Sequence, residues 1–164
     1  MSGIVVGVDG SESAQQALRF AIEDAERRKT TVTAVHVYPP RHERSPHLDA
    51  LSFVTTESTV QRVAEGDRTW RQERAAESRQ AAERFLSDIV KHVAPKPPVE
   101  VRQVVVEDEH PARVLIDRSA SAELLVVGAR GRGGFRGLLL GSVSQQVAAH
   151  ARCPVVVVRK GVRG

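Results

Sequence analysis

The stretch Leu124-Leu125-Val126-Val127-Gly128-Ala129-Arg130-Gly131-Arg132-Gly133-Gly134-Phe135-Arg136-Gly137-Leu138-Leu139-Leu140-Gly141-Ser142 leads from an apolar run through a glycine-rich loop to a helix start. Leu124 to Val127 reads as a buried strand, a short apolar run closed by glycine. Ser142 and Gln145 have the spacing of a capping box, which opens a helix. The glycines let a backbone approach a ligand closely. The helix start offers unpaired N–H groups and a partial positive charge, which suit phosphate. Arg130, Arg132 and Arg136 add fixed positive charge to the same loop. It is not a P-loop, because no Gly-Lys-Ser or Gly-Lys-Thr closes it. Nor is it the dinucleotide fingerprint, since counting from Gly131 the third glycine falls on Arg136. By composition alone, two readings stand: a phosphate cradle, or a flexible surface loop capped by a helix.

Working outward, the same strand-then-helix form recurs. Ile4 to Val8 is an apolar run closed by Asp9-Gly10-Ser11. Ala14, Ala17, Leu18, Ala21, Ile22 and Ala25 then share one helical face, capped by Ser11 or Ser13. Thr31 to Tyr38 is the second strand, ended by Pro39-Pro40. Residues 41–68 are hard to read: a polar segment with scattered Leu48, Leu51, Phe53 and Val54, expected as a long loop of the mobile or functional kind. A helix is legible by its end, where Phe85, Leu86, Ile89, Val90 and Val93 form a stripe before Pro95. Val99 to Val106 is the third strand, Pro111 starts a short helix carrying Leu115 and Ile116, and Pro154 to Arg159 is the last strand. Alternation of this kind, with strands apolar throughout, predicts an α/β fold: one open parallel sheet with helices on both faces. A single domain over 1–164 is expected.

The spacing Gly128, two residues, Gly131, nine residues, Gly141, Ser142 resembles the G-x2-G-x9-G-[ST] motif of ATP-binding universal stress proteins. The opening Ile4-Val5-Val6-Gly7-Val8-Asp9-Gly10-Ser11 and the closing Cys153-Pro154-Val155-Val156-Val157-Val158 are similar to that family's first and last strands. The resemblance implies a Rossmann-like five-stranded parallel sheet of order 3-2-1-4-5. In that order Asp9 and Gly128 border the crevice where the chain reverses direction, the usual ligand site of open α/β sheets. It further implies ATP as ligand, with Gly128, Arg130, Gly131, Gly141, Ser142, Val143 and Ser144 at the phosphates and ribose. Val8, Asp9, Val37 and Val127 would line the adenine and ribose side. Asp9 would also face a phosphate-bound Mg²⁺, although an Asp beside Gly10 also suits a plain turn. A homodimer through the edge strand Val155–Val158 is implied as well, as an apolar edge invites pairing.

No His or Glu lies in the glycine loop to activate a water, so efficient catalysis is not expected. The alternatives are a slow ATPase or ATP-using transferase, a cyclic-nucleotide-binding protein, or an interaction protein indifferent to nucleotide. The net charge of +4 raises a nucleic-acid partner, but the basic residues alternate with acidic ones, as in Arg71-Gln72-Glu73-Arg74, and read as a solvated helix face. His36, His42 and His47 match no zinc spacing, and His36 is expected as a packed strand residue. Cys153, the lone cysteine, is expected to be a buried structural thiol. No apolar run approaches the ~20 residues of a membrane span, and no signal-peptide pattern opens the chain, so a cytoplasmic and complete protein is expected.

Overall fold

The computed structural model describes residues 3–43, 45–49, 56–131 and 139–161. The strands fall where the apolar runs place them: β1 Ile4–Gly7, β2 Val32–Tyr38, β3 Val101–Glu107, β4 Leu124–Gly128 and β5 Val155–Val158. They form one parallel sheet in the order β3-β2-β1-β4-β5. The register pairs Ile4 with both Val32 and Leu124, and Gly7 with Val35. Among the described residues β5 pairs with β4 alone and ends the strand order, so it is a sheet edge.

Side chains alternate across a strand, and the core divides accordingly. On one face Ile4, Val6, Val32, Ala34, Leu124 and Val126 pack with Ala17, Leu18, Ala21 and Ile22 of helix α1 (Glu12–Arg28) and with Leu86 and Val90. On the other, Val5, Val35, Leu125 and Val127 pack with Leu115 of α4 (Pro111–Ser119) and Val147 of α5 (Ser142–His150). Leu18 and Leu86 are fully buried, a state worth about 1.5–3 kcal/mol for each aliphatic side chain. Ser11 is the N-cap of α1, its Oγ accepting the Ala14 N–H at 3.2 Å. Pro111 opens α4 in the first-turn position that needs no N–H donor.

The chain separates into two compact units, 1–39 with 82–164, and 40–81. The segment expected as a loop to residue 68 is largely helical: α2 spans Pro46–Asp49, and α3 runs unbroken from Glu57–Val93. Between residues 57 and 81 the only large apolar side chains are Val60, Val63 and Trp70, so no amphipathic stripe announces the helix. Good helix formers and ion pairs one turn apart sustain it instead, Arg71 with Asp67 and Arg74 with Glu77. Leu51, Phe53 and Val54 lie outside the described residues.

The capping box read at Ser142 and Gln145 does not form. Gly141 occupies the N-cap position, Ser142 is the first helical residue, and no side chain caps the end. The Gln145 side chain instead donates to the Leu140 carbonyl at 3.4 Å. The N-cap N–H that a capping box would use is already committed, from Gly141 to the Ala129 carbonyl at 2.7 Å.

Candidate functional site

β1 and β4 are neighbours, yet the chain leaves them in opposite directions, toward β2 from one and β5 from the other. Such a switch point opens a crevice beyond the carboxyl ends of the strands. A cavity of about 460 Å³ lies there. Val35, Val37, Val127, Pro111 and Leu115 make an apolar end, and Asp9, Ser11, Arg130, Gly131, Gly141 and Ser142 a polar one. Every site residue expected from the sequence lines it: Val8, Asp9, Val37, Val127, Gly128, Arg130, Gly131, Gly141, Ser142, Val143 and Ser144. Arg132 and Arg136 lie outside the described residues.

Two of the motif glycines are closely approached, Gly128 by backbone atoms and Gly131 by the movable end of a side chain. A Cβ on Gly128 would sit 2.5 Å from Ser13 Oγ and 2.8 Å from the Ala14 nitrogen. A Cβ on Gly131 would sit 2.8 Å from Asp9 Oδ2. Gly141 is different: its nearest neighbours would lie at 3.6 Å, ordinary contact, so the fold alone does not demand a glycine there.

Asp9 is aimed by its own turn, with Oδ1 accepting the Ser11 N–H at 2.9 Å, which leaves Oδ2 facing Gly131. The turn-former role and the cavity-facing role therefore coexist in one side chain. Ser144 is 2% exposed, and its hydroxyl reaches the carbonyls of Ala129 and Gly141, each at 2.9 Å. With one proton, it serves one of them at a time. The Ala129 N–H donates to the Val158 carbonyl at 2.7 Å, tying the loop's start to the end of β5.

Several residues around the cavity were not singled out from the sequence. Ser13 donates to the Arg130 carbonyl at 2.6 Å, and Ser11 to the same oxygen at 3.2 Å. His36 packs in β2 as expected, but it also donates from Nδ1 to the Val8 carbonyl at 2.8 Å and rests against the Phe85 ring. It thereby steadies the strand end that carries Asp9. Gly7 lets Leu115 close the apolar end, since a Cβ there would lie 2.9 Å from a Leu115 methyl. A glycine inside a valine run is a sequence sign of close approach, and it marks this contact. The entry to α4 is fixed by Asp108, which accepts the His110 N–H at 2.8 Å and pairs with Arg113. The Arg113 guanidinium beside Asp108, helped by the His110 N–H, holds its carboxyl below the usual range.

A glycine-built cradle next to a carboxylate and an arginine, continued by an apolar slot, suits a ligand with an anionic group at one end and a flat apolar group at the other. Among the described residues no cluster of His, Cys, Asp and Glu is arranged to hold a metal by side chains alone. A cation here would be held largely by the ligand's own oxygens, with Asp9 as the nearest carboxylate.

Comparison with known proteins bears on this arrangement. The model of the "Universal stress protein family" matches residues 1–159. Universal stress protein Rv2623 of Mycobacterium tuberculosis is 36% identical over 160 residues, which cover 97% of this chain and 46% of that protein. The chain thus spans about half the length of the curated relatives it matches. Among solved structures, a universal stress protein in complex with cAMP has a TM-score of 0.57 at 22% identity, covering 96% of each chain. The universal stress protein of Archaeoglobus fulgidus in complex with dAMP has a TM-score of 0.54 at 23% identity, covering 96% of this chain and 98% of that one.

Proposed function

Because the chain belongs to the universal stress protein family, we propose that it is an ATP-binding regulatory module whose nucleotide lies in the crevice between β1 and β4. The observation that carries this reading is the coincidence of motif, cavity and switch point: the residues of the glycine motif line the crevice that the topology opens between β1 and β4. The triphosphate takes the polar end, against Arg130, the loop N–H groups and the start of α5. Mg²⁺ bridges phosphate oxygens and faces Asp9 through its waters. The adenine takes the apolar end. β1 stops pairing at Gly7 with Val35, and Val37 lies two residues further along β2. Among the described residues no strand pairs with the main-chain groups of Val37 on that side, which suits the hydrogen-bonding edge of a base.

Among the described cavity-lining residues the side chain able to take a proton is the Asp9 carboxylate, one oxygen of which accepts the Ser11 N–H, while arginine cannot serve as a base. In this proposal the protein is a binder with at most slow hydrolysis. A cyclic adenine nucleotide is the second reading, supported by the relative solved with cAMP; it needs the same adenine slot and fewer phosphate contacts. We assign the module to the cytoplasm, where a chain with one cysteine has no need of disulfides.

The protein works as a homodimer in this proposal, through β5. Its four valines are half-buried and uncharged, whereas the other edge, β3, exposes Arg102 and Gln103. Charged edges resist pairing and apolar edges invite it. The greater length of the curated relatives fits the same idea, because a chain of twice this size has room for a second copy of the fold.

Replacement of Gly131 by leucine tests the site. Its Cβ meets only the movable end of Asp9, so the chain folds, while the side chain fills the polar end of the cavity. Wild-type-like circular dichroism with ATP binding lost is the expected result. Unchanged affinity removes the loop from the site.

A further inference from the structure

The glycine loop begins with two peptide units whose carbonyls are both held by the protein. The Ala129 oxygen accepts from the Gly141 N–H at 2.7 Å and from Ser144 Oγ at 2.9 Å. The Arg130 oxygen accepts from Ser13 Oγ at 2.6 Å, with Ser11 Oγ a weaker second donor at 3.2 Å. No peptide bond among the described residues is cis, and in a trans unit the N–H points opposite the C=O. Holding the Arg130 carbonyl toward α1 therefore turns the Gly131 N–H away from α1. The Ala129 carbonyl is held instead by Gly141 and Ser144 at the start of α5, which turns the Arg130 N–H away from α5. The Gly131 nitrogen lies 3.7 Å from the point a Cβ on Gly141 would occupy, so it faces another cavity-lining residue. Among the described residues neither N–H donates to a protein acceptor.

The result at the Arg130–Gly131 peptide is a backbone donor with its neighbouring carbonyl kept out of the way, the kind of group an anion-binding loop uses. The orientation matters as much as the donors. A peptide that flipped would present an oxygen to an anion, replacing attraction by repulsion.

We infer that Ser13, which lies outside the glycine motif, is the positioning residue that sets the Arg130–Gly131 peptide for the anionic end of the ligand. It does so without touching the ligand, so it is not a binding residue. Two further observations support the role. Ser13 is 6% exposed, so water does not readily replace its hydroxyl on the Arg130 carbonyl. Its Oγ also occupies the space that a Cβ on Gly128 would need, so the motif glycine and the serine fit each other. The inference rests on the nucleotide reading of the cavity.

The test compares calorimetric titrations of the full chain with Mg-ATP and with adenosine, which lacks the anionic end. Loss of one buried hydrogen bond that orients a donor is expected to weaken ATP by about three- to tenfold in Ser13→Ala. Adenosine affinity stays unchanged, and Ser13→Thr, which keeps the hydroxyl, binds ATP more tightly than Ser13→Ala. Unchanged ATP affinity in Ser13→Ala overturns the inference. So does an equal loss for adenosine, which indicates a general packing defect. A second measurement uses only the wild-type chain: the amide resonances of Arg130 and Gly131 shift when ATP is added. If they stay still while ATP binds, the inference fails. A wild-type chain that takes neither ATP nor adenosine overturns the nucleotide reading itself, an outcome distinct from the others.

Discussion

Gly128→Ala is the substitution whose cost the structure fixes most tightly. The new Cβ would stand 2.5 Å from Ser13 Oγ, 2.8 Å from the Ala14 nitrogen and 2.8 Å from the Ser13 carbonyl carbon. Only the first of these can swing aside, and doing so breaks the 2.6 Å bond from Ser13 to the Arg130 carbonyl. The other two are backbone atoms in the first turn of α1, which is packed on β4. Overpacking of this kind costs about 1–3 kcal/mol, and the lost hydrogen bond adds about 0.5–1.5 kcal/mol. A total of about 2–4 kcal/mol corresponds to a melting midpoint lower by about 5–15 °C in a chain of this size. Thermal unfolding followed by circular dichroism reads the effect. Gly141→Ala is the control: its Cβ has ordinary contacts at 3.6 Å, so the loss is confined to the poorer N-cap, about 1 kcal/mol at most. If Gly128→Ala melts within a degree or so of wild type, or no lower than Gly141→Ala, the close approach of β4 to α1 is misjudged.

The proposed dimer gives a second prediction. Pro154 and Val158 direct their carbonyls to β4, so by strand alternation the main-chain groups of Val155 and Val157 point outward. Val157→Pro removes an outward N–H and no bond within the sheet, a kind of edge position where proline is tolerated. Light scattering should report a monomer with native circular dichroism; a persistent dimer would place the interface elsewhere. Cys153 supplies a third. Partial burial pushes its thiol up, so less of it is the reactive thiolate at a given pH. Cys153 is only half-buried, not the buried thiol expected from the sequence. Alkylation by iodoacetamide near pH 8 should therefore be modestly slower in the folded chain than after unfolding in urea; faster reaction in the folded chain would contradict the raised thiol.

The sheet was legible because parallel strands buried on both faces are nearly continuous valine and leucine runs. The runs around Val6, Val35 and Val126 leave little freedom. The order of the strands was not written in those runs and came only through the resemblance carried by Gly128, Gly131, Gly141 and Ser142. The first part of α3 was missed for a physical reason: a helix held by charge pairs such as Asp67 with Arg71 lacks the apolar period that marks a packed one. The capping box failed because two residue types at a suitable spacing do not reveal which residue takes the extended cap conformation; here it is Gly141, with φ −81° and ψ 169°. The cavity-lining residues of the motif were legible, since they lie in one local segment. Ser13 and His36 were not, because their partners, Arg130 and Val8, are far away along the chain. Side chains that position a site through the backbone of another element leave no local pattern.

The proposal as a whole turns on whether the crevice between β1 and β4 takes adenine nucleotide. A calorimetric titration of the purified chain, first confirmed free of nucleotide, with ATP and Mg²⁺ is the direct measurement. Saturable binding at one site per chain is the predicted result. Absence of binding heat at several temperatures, together with no rise in melting midpoint on adding ATP, would contradict it.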